Sequence, residues 1–262
     1  MNRAVTKSAE ILFGYHPVVE ALRAGRRSID TVYLSKDSSS RRGQVVRMAE
    51  NTGAAIQWID SRQLTTLAGT PHHQGICAEV GPFPISSLEA LLATRVSPGD
   101  QPLLVVLDQI VDPQNFGAIV RTAQCVGADG VITPKNRAAP PSAAVSKASA
   151  GALEHMHLAR VTNLINAFKT LKKKGLWIAG ADREGDTDLF HSDLSGPLVL
   201  VMGAEEKGLR PLVRQHCDFT IAIPQIGPIG SLNASVAAGI ILYEVFRQRS
   251  IRSPSSPTGP KK

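Results

Sequence analysis

The spacing of apolar residues changes near residue 80, and the change divides the chain in two. Over the first stretch, short alternating runs are interleaved with helical periodicity. Pro17 sits in a first helical turn and Gly25 closes that helix. The run 29–34 alternates as a strand, 41–52 has helical spacing ended by Gly53, and Ala55–Ile59 reads as a second strand. Ser61 is a candidate cap for a short helix through Leu67, and 75–80 is a third strand. These elements predict a small α/β unit over 1–82.

A Pro- and Gly-punctuated stretch, GPFPISSLEALLATRVSPGDQP, predicts a linker over 83–101 with a short helix in its middle. From Pro102 the pattern is different. PLLVVLD is a continuous apolar run, as expected of a strand covered on both faces. Helices are predicted at about 116–126, 143–154, 207–216 and 234–248, with another ending at 172–174, and strands at 130–133, 157–161, 176–180, 198–202 and 220–223. Such alternation implies an α/β domain over 102–250 with a parallel sheet and helices on both faces. Ligands of such sheets bind at the carboxyl ends of the strands. The Pro/Ser-rich basic tail 251–262 is expected to be disordered.

Composition narrows this picture. Hydrophobic residues make up 43% and charged residues 19%, as in globular proteins, and no apolar run reaches membrane-spanning length. The N-terminal residues lack the apolar core of a secretory signal. The expectation is therefore a soluble, cytoplasmic protein with no membrane partner. Cys77, Cys125 and Cys217 are odd in number and far apart, which argues for buried reduced thiols over disulfides or a metal pair. The excess of 29 Lys+Arg over 22 Asp+Glu, a net charge of +7, fits a polyanionic partner without requiring one.

Three loops follow predicted strands and carry polar residues. In LDQIVDPQNFGAIVRTA, Asp112 and Asn115 suit turn and cap chemistry, whereas Arg121 is the single charge on a small, apolar helix. It is either paired within the fold or aimed at an anion. In LVLVMGAEEKGL, Gly203 allows close backbone approach, and Glu205 and Glu206 suit a helix start. In IPQIGPIGSLNASVAAGIILYE, Ser231, Asn233 and Ser235 are all possible caps for a helix without charge from Ala234 to Tyr243. A helix apolar all round must be covered on every side, which points to a subunit interface.

The motifs that are missing also count. There is no GxGxxG after a strand, no Walker A, HExxH or GxSxG, and no metal-spaced His/Cys cluster. His72 and His73 read as an exposed loop pair, not as metal ligands. From the residues alone, the loops describe an anion or nucleotide site without naming a cofactor.

The stretches DPQNFGAIVRTA, LVMGAEEKGL and IPQIGPIGSLNASVAAGIILYE resemble, in order and spacing, the SpoU (TrmH-type) family of RNA ribose methyltransferases. The likeness runs from about Pro102 to Arg249. It implies a knotted α/β domain with a C-terminal trefoil, a bound S-adenosyl-L-methionine cofactor and a homodimer formed through the knot region. The segments ILFGYHPVVEAL and HHQGICAEV resemble the RNA substrate-binding module of a subgroup that methylates a guanosine of 23S ribosomal RNA, a module that itself resembles small ribosomal proteins. Carried over position by position, the family's catalytic groups fall on Asn115, Arg121, Glu205, Ser231 and Asn233. Cofactor contacts fall on Ala179, Gly180, Ala181, Gly203, Ile223 and Leu232, with no metal. Gln225 stands where the family more often has Met.

The resemblance implies S-adenosylmethionine-dependent 2′-O-methylation of a ribose. Arginine has a pKa above about 12, so Arg121 suits holding a phosphate and stabilising a developing alkoxide better than removing a proton. Alternatives are a tRNA guanosine methyltransferase, an adenosine-directed antibiotic-resistance rRNA methyltransferase, and a non-catalytic RNA-binding ribosome-assembly protein.

Overall fold

A computed structural model describes residues 10–36, 42–96, 101–205, 207–228 and 230–252. Arg41, residues 97–100, Glu206 and the residues from 253 lie outside the described residues; of the tail 251–262 expected to be disordered, Ile251 and Arg252 are helical and the rest lies outside them.

The N-terminal unit runs β1 (Glu10–Phe13), α1 (Tyr15–Ala24), β2 (Ile29–Ser35), α2 (Arg42–Thr52), β3 (Ala55–Ile59), α3 (Ser61–Ala68) and β4 (Ile76–Val80). Its sheet has the order β1-β4-β2-β3, with β4 antiparallel to both neighbours and β2 parallel to β3. Gly25 closes α1 in the left-handed conformation at φ 60°. The cap of α3 is Asp60, not Ser61. Asp60 accepts from the Gln63 amide at 2.8 Å while the Gln63 side chain accepts from the Asp60 amide, a capping box that the neighbouring serine does not form. Strand β1 was not legible in the periodicity; it is defined by pairing with β4. His73 is buried, not exposed, because its ring is held between the Thr65 hydroxyl and the Gly75 amide.

The second unit continues with β5 (Ile85–Ser86), α4 (Leu88–Arg95), β6 (Leu103–Leu107), α5 (Pro113–Cys125), β7 (Gly130–Pro134), α6 (Ala143–Ala148), β8 (Leu158–Val161), α7 (Leu164–Lys173), β9 (Trp177–Ala181), β10 (Thr187–Asp188), β11 (Leu198–Met202), α8 (Pro211–His216), β12 (Phe219–Ala222) and α9 (Ala234–Arg252). The eight strands form one parallel sheet in the order β10-β12-β9-β11-β6-β7-β8-β5. Within the stretch read as a linker, β5 pairs with β8, and α4 buries Leu88, Leu91 and Leu92 against the same sheet.

The apolar run of β6 has a direct structural reason. Leu103, Val105 and Leu107 enter one core with α5 and α9; Leu104 and Val106 enter the opposite core with α4, α7 and α8. Each such buried side chain contributes about 1.5–3 kcal/mol of transfer free energy. Both faces are therefore covered, and chemistry is confined to the strand ends.

Three predicted helices differ in extent. The run 143–154 breaks into α6 and a short 3-10 turn at Ala152–Glu154, with Ala150 and Gly151 at φ 51° and 84°. The chain reverses there because α5 packs so close that a Cβ at Gly117 would lie 2.8 Å from the Ser149 nitrogen. The predicted helix 207–216 begins only at Pro211, since Ala204 and Gly208 pair with each other in a tight turn. Glu205 thus stands on a turn, not at a helix start. Finally, α9 extends to Arg252; Ala238, Ile241, Leu242 and Val245 are buried, but Val236, Tyr243 and Phe246 are about half exposed. One chain covers only one side of that helix. The thiols divide as well: Cys77 is buried and pushed up to about 12 by desolvation, Cys217 is half-buried, and Cys125 is exposed, contrary to expectation, because it ends α5 on the solvent side.

The two units meet through a polar joint. Arg27, its side chain 1% exposed, donates to Glu10 at 2.5 Å and lies 3.5 Å from the buried Glu154, which also accepts from the Ser146 hydroxyl at 2.8 Å. Glu10 accepts in turn from the Ala143 amide, and Arg26 donates to the Met156 carbonyl at 2.7 Å. Burial pushes the Glu154 carboxyl above its ordinary pKa, against the pull of Arg27.

Candidate active site

Strands β9, β11 and β12 end side by side, and the segments leaving them surround a pocket of about 340 Å³. Ala181 closes β9, Gly203 follows β11 and Ile223 follows β12, and all three line the pocket. Glu205, Ser231 and Leu232 complete the wall expected from the sequence. Ala179 and Gly180 lie deeper along β9 and do not line it. Ala179 is in the core, and a Cβ at Gly180 would lie 2.7 Å from Leu209 and 2.9 Å from Cys217, so packing under α8 explains that glycine. Gly203 likewise answers to the protein. A Cβ there would lie 2.3 Å from the Gly208 backbone, where the Ala204–Gly208 turn folds back.

At the pocket mouth, three polar residues from distant segments meet. Asn233 donates from Nδ2 to the Asn115 Oδ1 at 3.0 Å and also contacts the Glu205 carboxylate. Its own Oδ1 accepts from the amides of Ser235 at 2.9 Å and Val236 at 3.2 Å. Asn233 is therefore both the cap of α9 and the link between loops, and Ser235 is not the cap but a donor to it. Asn115 is positioned by the start of α5, where Asp112 caps the helix through the Gln114 and Asn115 amides ahead of Pro113.

Arg121 resolves the alternatives left open for it. It is exposed and has no hydrogen bond or ion pair among the described residues, so it is not paired within the fold. It also does not line the pocket of its own chain.

Sequence reasoning missed Arg183, Glu184 and Lys207, which bring charge of both signs to the pocket. The signal was available: DREGD directly follows β9, at a sheet edge where ligands bind. Arg183 packs so closely over Gly230 that a Cβ there would lie 2.6 Å from its guanidinium. Gln225 also lines the pocket. Apolar walls from Ala181, Ile223 and Leu232 stand beside the charges of Arg183, Lys207 and Glu205, so the pocket suits a ligand with both apolar and charged parts.

This arrangement defines a class: an α/β protein with a small-molecule pocket built from backbone-rich loops at one edge of a parallel sheet. A family model described as "SpoU rRNA Methylase family" matches residues 102–243, and one described as "RNA 2'-O ribose methyltransferase substrate binding" matches residues 11–86. The 23S rRNA (guanosine-2'-O-)-methyltransferase RlmB of Ralstonia nicotianae is 40% identical over 245 residues, 93% of this chain and 97% of that protein. An uncharacterized tRNA/rRNA methyltransferase of Mycolicibacterium vanbaalenii is 43% identical, over 93% of this chain and 78% of its own length. The crystal structure of the SpoU methyltransferase AviRb from Streptomyces viridochromogenes, in complex with AdoMet, superposes with a TM-score of 0.79 at 26% identity, over 92% of this chain and 90% of that one. The chain belongs to the SpoU rRNA methylase family, and it is an RNA methyltransferase whose family cofactor is S-adenosylmethionine.

Proposed function

We propose that this protein transfers a methyl group to the ribose 2′-oxygen of a guanosine in 23S ribosomal RNA, as a homodimer in the cytoplasm. The observation that carries the reading is the Asn115–Asn233–Glu205 cluster at the mouth of a pocket whose walls fit the cofactor. The RlmB relatives support the choice of RNA, and the match of residues 11–86 supports an N-terminal RNA-binding unit over 1–82, similar to ribosomal proteins. The catalytic unit over 102–250 is proposed to carry the family's trefoil knot.

In this reading Ala181, Gly203, Ile223 and Leu232 would hold the cofactor, with Arg183 and Lys207 as the cations available to its carboxylate. The bound cofactor supplies an electrophilic sulfonium methyl. Asn233 ties the loop before α9 to the start of α5 and to the Glu205 turn, so the three segments keep one geometry. Ser231 positions the ribose. Arg121 holds an RNA phosphate and stabilises the developing alkoxide as the hydroxyl passes its proton to that phosphate or to water. Because it does not line its own pocket, it acts on the pocket of a second copy, docked over the exposed Val236, Tyr243 and Phe246.

Transfer from labelled S-adenosylmethionine to 23S rRNA, with mapping of the modified ribose, tests the reading. A methyl group on a base, or on tRNA alone, would overturn it. Mixing Arg121→Ala with Asn233→Ala protein tests the dimer: random exchange restores about a quarter of wild-type activity if the two groups serve one site from two chains. No recovery means that they act within one chain.

A further inference from the structure

We propose a second RNA subsite, a pocket for one unstacked nucleotide, at the carboxyl ends of β6, β7 and β8. It rests on the RNA-methylating reading, and it is separate from the cofactor pocket. The cavity is about 340 Å³, and its walls include Gln109, Asn136, Arg137, Leu164, Arg210 and Leu212. The segment after β11 divides the two pockets: Gly203, Ala204, Glu205, Lys207 and Gly208 line the cofactor side, and Arg210, Leu212 and Val213 the other.

Two observations make this cavity a built site. First, Arg210 is oriented from beneath. Asp108, fully buried at the end of β6, accepts from the Arg210 Nε at 2.8 Å and from its amide at 3.2 Å. A buried carboxylate spent on one edge of a guanidinium leaves the terminal nitrogens to face outward, and they have no hydrogen bond among the described residues. Second, of the four non-glycine residues with positive φ among the described residues, two line this one cavity, Gln109 at 64° and Arg137 at 57°. Left-handed backbone is strained for a residue with a Cβ, and such strain gathers at ligand sites. Arg137 is exposed and has no partner among the described residues.

The chemistry is that of a nucleotide. Two guanidinium groups suit a phosphate, the amides of Gln109 and Asn136 suit a base edge, and Leu164 and Leu212 offer an apolar floor for its face. Leu212 is 56% exposed, which fits a floor awaiting cover. Single-stranded RNA read through a splayed base and an adjacent phosphate has these needs.

The test compares wild type, Arg137→Glu, Arg137→Gly and Lys173→Glu in the full chain. Lys173 is exposed at the far end of α7, about 13 Å along the helix from Leu164, and controls for charge alone. Arg137→Gly removes the side chain where the backbone already favours glycine, so the fold is retained. Binding to transcribed 23S rRNA is measured by anisotropy over a range of salt, with cofactor affinity by calorimetry and methyl-transfer kinetics. Both Arg137 variants are expected to weaken RNA binding about tenfold and raise KM for RNA by the same factor, with kcat and cofactor affinity unchanged. Arg137→Gly should lower the slope of log K against log salt by about 0.7–0.9. RNA affinity equal to that of Lys173→Glu, or a loss confined to kcat, would overturn the subsite. If wild type binds rRNA in this Arg137-dependent way but transfers no methyl group, the subsite stands and the methylation reading falls.

Discussion

In the N-terminal unit the conspicuous polar groups are already engaged. Asp60 closes a capping box, His73 is held by Thr65 and Gly75, and Arg27 lies buried against Glu10 and Glu154. In the C-terminal unit buried polar groups are paired as well, Asp108 with Arg210 among them, but at the ends of β9, β11 and β12 Glu205, Ser231, Lys207 and Arg183 line an open pocket. The same residue types thus serve two purposes. In the first unit they hold local structure and, through Arg27, its seat on the second; at the strand ends of the second, several line a pocket. Position relative to a sheet edge, more than residue type, separates structural from chemical polarity.

The contrast can be broken at the joint first. Arg27→Leu leaves Glu154 buried without its cation and should cost about 3–5 kcal/mol in urea unfolding, with Glu154→Gln added to it recovering much of the loss. Equal stability would mean that the joint is not a structural lock. At the pocket the effect should fall on rate. Asn233→Asp keeps an acceptor for the Ser235 and Val236 amides but sets an anion against Glu205; kcat should drop about a hundredfold while thermal stability changes little. Retention of full rate would remove Asn233 from the active machinery. Gly203→Ala forces the Ala204–Gly208 turn outward, for an expected loss of about 1–3 kcal/mol together with weaker cofactor binding by calorimetry.

The smallest effect depends on pH. Burial, then Arg26 and Arg95, hold His157 down at about 4, against 6.5 when unfolded. Between those values the unfolded chain binds the extra proton, so this histidine's contribution to stability is lost as pH falls from 6.5 toward 4. Glu154, raised by burial, has the opposite sign, its contribution being lost as pH rises above the ordinary carboxylate range. Urea midpoints of His157→Gln should therefore vary less with acidification than those of wild type. An unchanged profile would mean that His157 takes up its proton as readily in the folded state.

Much of the C-terminal unit was legible because its strands are buried on both faces, leaving uninterrupted apolar runs such as 103–107 and 198–202. Two failures of periodicity share a cause. The break after Ala148 and the delayed start of α8 are both imposed by close backbone approach, at Gly117 and at Gly203, which no one-dimensional pattern records. Glu205, Ser231 and Asn233 were singled out from their loops and Asn115 from the start of α5; the fold brings Asn115, Glu205 and Asn233 together and sets Ser231 in the pocket wall. Ala179 and Gly180 were assigned to the cofactor, but packing accounts for them. Arg183, Glu184 and Lys207 were passed over because exposed charges in loops are ordinary in a sequence and become distinctive only when they line one cavity.

What the sequence determined by itself was the alternation of strands and helices, the family likeness and the loops that hold the chemistry, since all three are local in the chain. Only the tertiary structure decided that Asn233 meets an asparagine 118 positions away, that Arg121 stands free of its own pocket, and that a buried Asp108 aims Arg210 outward. Those facts depend on which segments a parallel sheet brings to one edge. Contacts between residues a hundred positions apart are made by packing, and spacing along the chain does not encode them.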